Sequence, residues 1–422
     1  MGDDRAHRQW LPSQNARAGH RGRTINWVSY RLRKEEKIAL NLPERLFIEA
    51  SGRLPEVVRV ALKDPRAVLG EWDAVSVPLR GGAGALGVGR SLFKLRGLAW
   101  VGPVERPWSI VLKVLAPVAG HDGATNVEYW KRESLLYCSG FLDDLSEGVR
   151  APRCYGIDEM PDGTVYHWLE HVREDGGHIW PLTRWALAAR HLGQFNGAYL
   201  TGRPLPRAPW LGGRRLRSWL ERHQPLVKQI ATAPLNPQVR KWWPQPVVNA
   251  ILHLWDQRDE FCTALERLPQ TFCHGDAIRR NLFSRYGVDG SEETVAIDWE
   301  HAGHYAVGEE VGQTLSVASA FFDVEPADLP SLDEALFASY LKGLRDAGWH
   351  GEPRQVRFAY AAHAALRNAF NAVGASVPDE TRRASAQLTY GHTWEDLAER
   401  RAAIRPFLLN RAIEARRLHE TL

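Results

Sequence analysis

The 422-residue chain has four cysteines, and Cys138, Cys154, Cys262 and Cys273 stand singly, with no C-x-x-C pair. That spacing excludes a zinc ribbon and a disulfide framework and fits reduced thiols. No window approaches the roughly 18 consecutive apolar residues needed to cross a bilayer, and the first residues lack an apolar signal core. A soluble, cytoplasmic protein without a membrane partner is the expectation. A strong charge of one sign is also missing: 54 Lys plus Arg face 50 Asp plus Glu, a net of +4. So small a margin argues against nucleic-acid binding by the chain as a whole. The sequence has no internal repeat.

The basic excess is local. Arg5, Arg8, Arg17, Arg21, Arg23, Arg31, Arg33, Lys34 and Lys37 crowd a segment with few aliphatic residues. Residues 1–40 therefore read as a basic, poorly ordered tail, with a nucleic-acid arm as the alternative. Beyond it the hydrophobic fraction, 44%, is ordinary for a packed globular chain, and the 17 Trp are scattered as core filler.

Two modules follow from periodicity. In the first, residues 41–172, "LPEVVRVALKDPRAVL" has helical spacing ended by Pro65. A Gly-rich turn then precedes a half-buried strand with Lys94, and "SIVLKVL" reads as a central strand apolar on both faces except for Lys113. The helix "VEYWKRESLLYCSGFL" closes at Gly140, and "TVYHWLEHV" is a further strand. In the second module, residues 173–422, Trp185, Ala188, Leu192, Phe195 and Tyr199 recur at helical steps, with Thr183 as the N-cap candidate. Similar patterns fall at 336–344, 355–371 and 394–416.

Within this helical half, "TFCHGDAIRRNLF" at 271–283 holds a polar island between apolar ends. "NLFSR" and "TVAID" read as an antiparallel hairpin. Pairing Arg285 with Thr294 would set Asn281 opposite Asp298, with Cβ atoms about 5 Å apart. Asp276 lies five residues before Asn281. Two carboxylates and an amide at one strand end are hard oxygen donors suited to Mg²⁺ completed by substrate phosphates. Asp276 is alternatively a base for an attacking hydroxyl, and the spacing is that of a phosphoryl-transfer site.

"CHGDAIRRN" followed by "VAIDWE" resembles the H-G-D-x-x-x-x-N and I-D-W/F-x-D/E pair of the aminoglycoside phosphotransferase and choline kinase-like family. The resemblance implies an α+β, two-lobed protein-kinase-like fold, with a β-rich N-terminal lobe and a mostly helical C-terminal lobe. It implies Asp276 as catalytic base, Asn281 and Asp298 as Mg²⁺ ligands, and His274 as a buried brace. It also assigns Lys113 to the α and β phosphates of ATP and Glu133 to orienting that Lys, a partner the buried ammonium needs in any case. Glu170 and Val172 would offer main-chain contacts to adenine.

"GAGALG", with Gly82, Gly84 and Gly87, fits G-x-G-x-x-G, and the strand-like run after it favours a phosphate-covering loop over a dinucleotide fingerprint. A plain hairpin tip is the alternative. Glu300, Glu309 and Glu310 read either as a solvated acidic face or as an attractor for a cationic acceptor. Arg279 and Arg280 are candidates for contacts to substrate or to the transferring phosphoryl group. A zinc site from His274, His301 and His304, and a Cys273 nucleophile, are the lesser readings. The expectation is an ATP- and Mg²⁺-dependent kinase of a small-molecule hydroxyl, with a non-catalytic nucleotide-binding protein as the alternative.

Overall fold

The first element, α1 (Glu44–Leu62), buries Leu46, Ala50, Leu54, Val57 and Val58, residues three or four apart that share one helix face. It packs on one face of a five-stranded antiparallel sheet of order β1-β2-β3-β6-β5: β1 (Val68–Ser76), β2 (Arg90–Val101), β3 (Val104–Leu115), β6 (Val165–Glu170) and β5 (Cys154–Glu159). Ile110 and Leu112 of β3 join α1 in that core. Lys113, one residue on, projects from the other face because side chains alternate along a strand. The "SIVLKVL" segment lies in the middle strand of the sheet, as its two-faced apolar pattern predicts. Helix α2 (Arg132–Ser139) ends at Gly140, which takes the left-handed conformation at φ 74°.

The protein is a computed structural model that describes residues 44–78, 89–145, 148–177, 179–287 and 289–422. The expectations for the tail at 1–40 and for Gly82, Gly84 and Gly87 concern residues outside that set.

The second part is helical, with α3 (Leu182–Leu200), α4 (Arg215–Thr232), α5 (Gln245–Asp256), α6 (Arg258–Arg267), α7 (Glu309–Phe321), α8 (Leu329–Asp346), α9 (Pro353–Asn368), α10 (Glu380–Tyr390) and α11 (Trp394–His419). Trp185, Ala188, Leu192, Phe195 and Tyr199 of α3 are buried as their spacing predicts. Thr183 is not the cap; Pro181, at φ −68° and ψ 159°, precedes the first turn and makes no side-chain cap bond. Gly193 of α3 and Gly343 of α8 bring these helices together so closely that a Cβ on either would lie within about 2.2 Å of the partner's backbone.

Short strands carry the polar loops. β7 (Gln270–Cys273) pairs with β10 (Gly303–Ala306), and β8 (Leu282–Tyr286) pairs with β9 (Glu292–Ala296), which also lies parallel to β4 (Val149–Arg150). The β8–β9 hairpin forms as predicted, but one residue out of the expected register: Arg285 faces Glu293, and Leu282 faces Ala296. Burial decides this. Leu282, Ser284, Thr294 and Ala296 share the buried face, and a one-residue slip would expose one strand's set. Asn281 thus sits opposite Ile297, whose amide donates to the Asn281 carbonyl at 2.9 Å. Together, a β-rich lobe followed by a helical one makes the two-lobed α+β architecture expected above.

Candidate active site

Asp276 lies in the loop between β7 and β8. Gly275 before it has φ 75°, and a Cβ there would meet the His301 carbonyl oxygen at 2.1 Å, so only glycine fits this turn. His274 is fully buried. Its Nδ1 accepts from the Asp276 amide at 3.2 Å and its Nε2 donates to the Ile297 carbonyl at 2.9 Å. One neutral imidazole therefore ties the Asp276 loop to the segment that ends in Asp298. Burial lowers its pKa, which suits that tautomer. Its ring lies 4.5 Å from the fully buried Trp299.

The carboxylate of Asp276 is held unevenly. Arg215 of α4 donates to Oδ1 at 2.8 Å and Gln313 of α7 donates to the same oxygen at 2.6 Å. Among the described residues, Oδ2 receives only Asn281 Nδ2, at 3.1 Å. The Asn281 amide nitrogen also donates to the Asp276 carbonyl at 3.0 Å, leaving the amide oxygen as the atom for another partner.

Lys113 is 6% exposed, and its Nζ reaches Glu133 Oε2 and Asp298 Oδ1, both at 2.5 Å. Burial opposes the ammonium, but the Asp298 and Glu133 charges outweigh it and raise its pKa. The other oxygen of Glu133 accepts from the Trp299 amide at 3.1 Å, so this acid joins α2 to both the β-sheet and the Asp298 loop. Asp298 is held in the left-handed region at φ 65° and ψ 63°, a strained conformation for any residue but glycine. Burial alone would raise its pKa, yet Lys113 and Arg90 pull it well below the usual carboxylate range.

Asp276, Asn281, Asp298, Lys113 and Glu133, singled out in the sequence, thus form one connected network. Glu170 and Val172 lie at the entrance to the segment linking the lobes. The Glu170 amide donates to the Arg153 carbonyl at 2.8 Å and its carboxylate pairs with Arg150 at 2.7 Å, so neither group is spare. Val172 is half-buried.

The acidic residues after Asp298 contradict the reading as a solvated face, for each is buried and has a partner. Glu300 pairs with Arg90 and lies 3.3 Å from His301. Glu309 accepts from the Ala306 amide at 2.8 Å and faces His363 at 3.2 Å. Glu310 accepts from the Gly275 amide at 3.1 Å and from Asn196 at 2.9 Å. All three are buried.

Arg279 is likewise a brace, not a spare cation. It donates to the carbonyls of Leu282 at 3.0 Å and Gly177 at 2.9 Å, sits 3.3 Å from Glu174, and stacks 4.0 Å from the Trp180 ring centroid. It therefore pins the loop to the segment between the lobes. Arg280 lies 3.6 Å from the Phe321 ring centroid and feels Asp323.

Cys273 is fully buried, and burial raises its thiol pKa well above the usual range, opposite to what a nucleophile needs. His304 bonds the Pro206 carbonyl at 2.8 Å, and among the described residues no group of three or more His, Cys, Asp or Glu could hold a metal.

Sequence reasoning missed Arg215, Gln313 and Arg90. None carries a local signal, because each meets its partner only through the fold.

The sequence model described as "Phosphotransferase enzyme family" matches residues 128–358, more than half of the chain, including every polar residue of this network but Lys113 and Arg90. The chain belongs to the phosphotransferase enzyme family.

Several solved structures are similar to this chain. An aminoglycoside phosphotransferase from Alicyclobacillus acidocaldarius is 15% identical over 77% of this chain and 93% of its own, with a TM-score of 0.46. An ethanolamine kinase from Plasmodium vivax is 13% identical over 88% and 92%, with a TM-score of 0.46. A choline kinase from Streptococcus pneumoniae is 12% identical over 86% and 99%, with a TM-score of 0.38. No curated protein sequence matches. Assignment to the phosphotransferase enzyme family rests on the sequence match at 128–358. No helix among the described residues is long and apolar enough to cross a membrane.

Proposed function

We propose that the protein transfers the γ-phosphoryl group of ATP to a hydroxyl of a small molecule, with Mg²⁺ as the resident cation. One observation carries the reading: Lys113 of the β-rich lobe reaches Asp298 at 2.5 Å, while His274 couples the Asp298 segment to the loop holding Asp276. On this reading a cation for phosphates and a carboxylate base are held within one hydrogen-bonded network.

The donors fit Mg²⁺. That cation takes one or two carboxylates and fills its remaining positions with water and substrate phosphates, so Asp298 and the Asn281 amide oxygen suffice without a second acid. Bound there, it would neutralise charge on the phosphate oxygens.

The protein's own groups do the rest. Asp276 Oδ2, the less encumbered oxygen, accepts the acceptor's hydroxyl proton while Arg215 and Gln313 hold Oδ1. The hydroxyl oxygen bonds the γ-phosphorus, the bond from that phosphorus to the ADP oxygen breaks, and ADP leaves. Lys113 pairs with the phosphates, and Glu133 keeps its ammonium on the cleft side of β3. The main chain at Glu170 and Val172 would border the adenine.

Asp276→Ala tests the assignment: phosphorylated product, read by mass shift, should disappear while ATP still binds. Turnover by the variant would remove the base. A protein that binds ATP but consumes none with any acceptor would instead be the non-catalytic nucleotide binder.

A further inference from the structure

On the acceptor side of Asp276, the first turns of α4 carry Arg215, Trp219, Arg222 and His223, whose spacing places them on one helix face. Opposite them, Arg367 in the last turn of α9 lays its guanidinium 3.3 Å from the Trp219 ring centroid. The Trp219 indole N–H donates to the Arg367 carbonyl at 2.9 Å, and the His223 ring covers Trp219 at 4.1 Å. The plane of the Arg367 fork is thus set by stacking.

Two nearby acids are already engaged. Arg215 has Asp276 at 2.8 Å, and Arg222 has Glu128 at 2.8 Å. The Arg367 guanidinium donates no hydrogen bond and pairs with no acid among the described residues, although the residue is half-buried and close enough to feel both Arg215 and Asp276. Burial first, and repulsion from Arg215 second, lower its pKa to about 9. A half-buried cation beside a like charge is stabilised when an anion joins it. Glu300, Glu309 and Glu310, the acids a polycation would have sought, are all committed elsewhere.

We propose that the hydroxyl acceptor carries an anionic group of its own, a carboxylate or a phosphate, which binds Arg367 while the hydroxyl lies against Asp276. Stacking on Trp219 leaves the edge of the guanidinium for the planar, two-pronged recognition that such anions accept. This assignment rests on the phosphotransferase reading and narrows its substrate class.

The test uses the full chain with Mg²⁺ and ATP, following ADP release and product mass. Carboxylate probes are D-glycerate and quinate; phosphate probes are glycerol 3-phosphate and ribose 5-phosphate. Glycerol and ribose serve as uncharged probes, choline and kanamycin as cationic ones. The highest kcat/KM should fall in an anionic set, and which set leads separates carboxylate from phosphate. Arg367→Gln should raise KM for that acceptor at least about tenfold, the scale of one charge-assisted hydrogen bond, with a smaller effect on kcat. Arg367→Lys should recover part of the loss, which a merely structural role would not produce. A cationic or uncharged compound with the highest kcat/KM, or an Arg367→Gln effect equal for charged and uncharged acceptors, overturns the proposal while leaving the kinase reading intact. ATP binding without phosphorylation of any probe overturns both.

Discussion

Glu133 offers the sharpest test of how the two lobes are joined. It is 1% exposed, and its two oxygens hold Lys113 at 2.5 Å and the Trp299 amide at 3.1 Å. Glu133→Ala removes both contacts. Breaking one end of a buried ion pair costs about 3–5 kcal/mol, and because Lys113 keeps Asp298 the lower end applies. The Trp299 amide, left without its acceptor, adds about 1–3 kcal/mol. A destabilisation of roughly 4 kcal/mol is expected, against about 3 kcal/mol for Glu133→Gln, whose side-chain oxygen can still accept from Trp299. Denaturant midpoints with slopes, followed by circular dichroism, measure this directly. A functional effect should accompany it: with Glu133 gone, Lys113 has Asp298 as its sole acid, which draws both groups away from nucleotide phosphates. The KM for ATP should therefore rise in both variants. If Glu133→Ala unfolds at the wild-type midpoint, or if its KM for ATP stays within about twofold, well under 1 kcal/mol, the account of this network is wrong.

Gly275→Ala would force a left-handed residue against the His301 carbonyl, with its Cβ 2.1 Å away. The expected cost exceeds about 2 kcal/mol and phosphorylation should fall with it; a variant as stable and active as the parent would show that the loop can relax. Stability should also depend on pH through buried groups. Burial lowers the pKa of His167 and His191 from 6.5 to about 4, so the folded state prefers them neutral. Their contribution is complete above pH 6.5 and is lost as pH falls toward 4. Glu310 acts in the opposite direction: burial raises it from 4.5 to about 7, so its contribution is present below pH 4.5 and is lost as pH rises through 7. A pH series of unfolding midpoints should therefore fall on the acid side, and Glu310→Gln, which removes the contribution that opposes the histidines, should steepen the rise between pH 4.5 and 7; an unchanged slope in that variant would refute the sign assigned to Glu310.

Local pattern was enough to find much of this protein. The central strand with its single Lys, the helix closed by Gly140, the α3 stripe and the two polar motifs all depend on spacings of a few residues, where alternation, helical period and turn chemistry leave a direct mark on the sequence. The β8–β9 hairpin was legible for the same reason. Its register was not, because that was set by which face of Leu282, Ser284, Thr294 and Ala296 the core would cover.

Tertiary structure alone decided how the charges are shared. Arg215 reaches Asp276 across 61 positions and Gln313 across 37, and no periodicity encodes such meetings. The acids after Asp298 looked available because a sequence shows charge but not burial or partners. Folded, they brace Gly275, Ala306 and Arg90. Arg279 was absorbed in the same way by Glu174 and two carbonyls. The chain's own sequence thus determined which residues could do the chemistry. Which of them remain free to do it depends on where each buried charge finds its partner, and only the packed molecule specifies that.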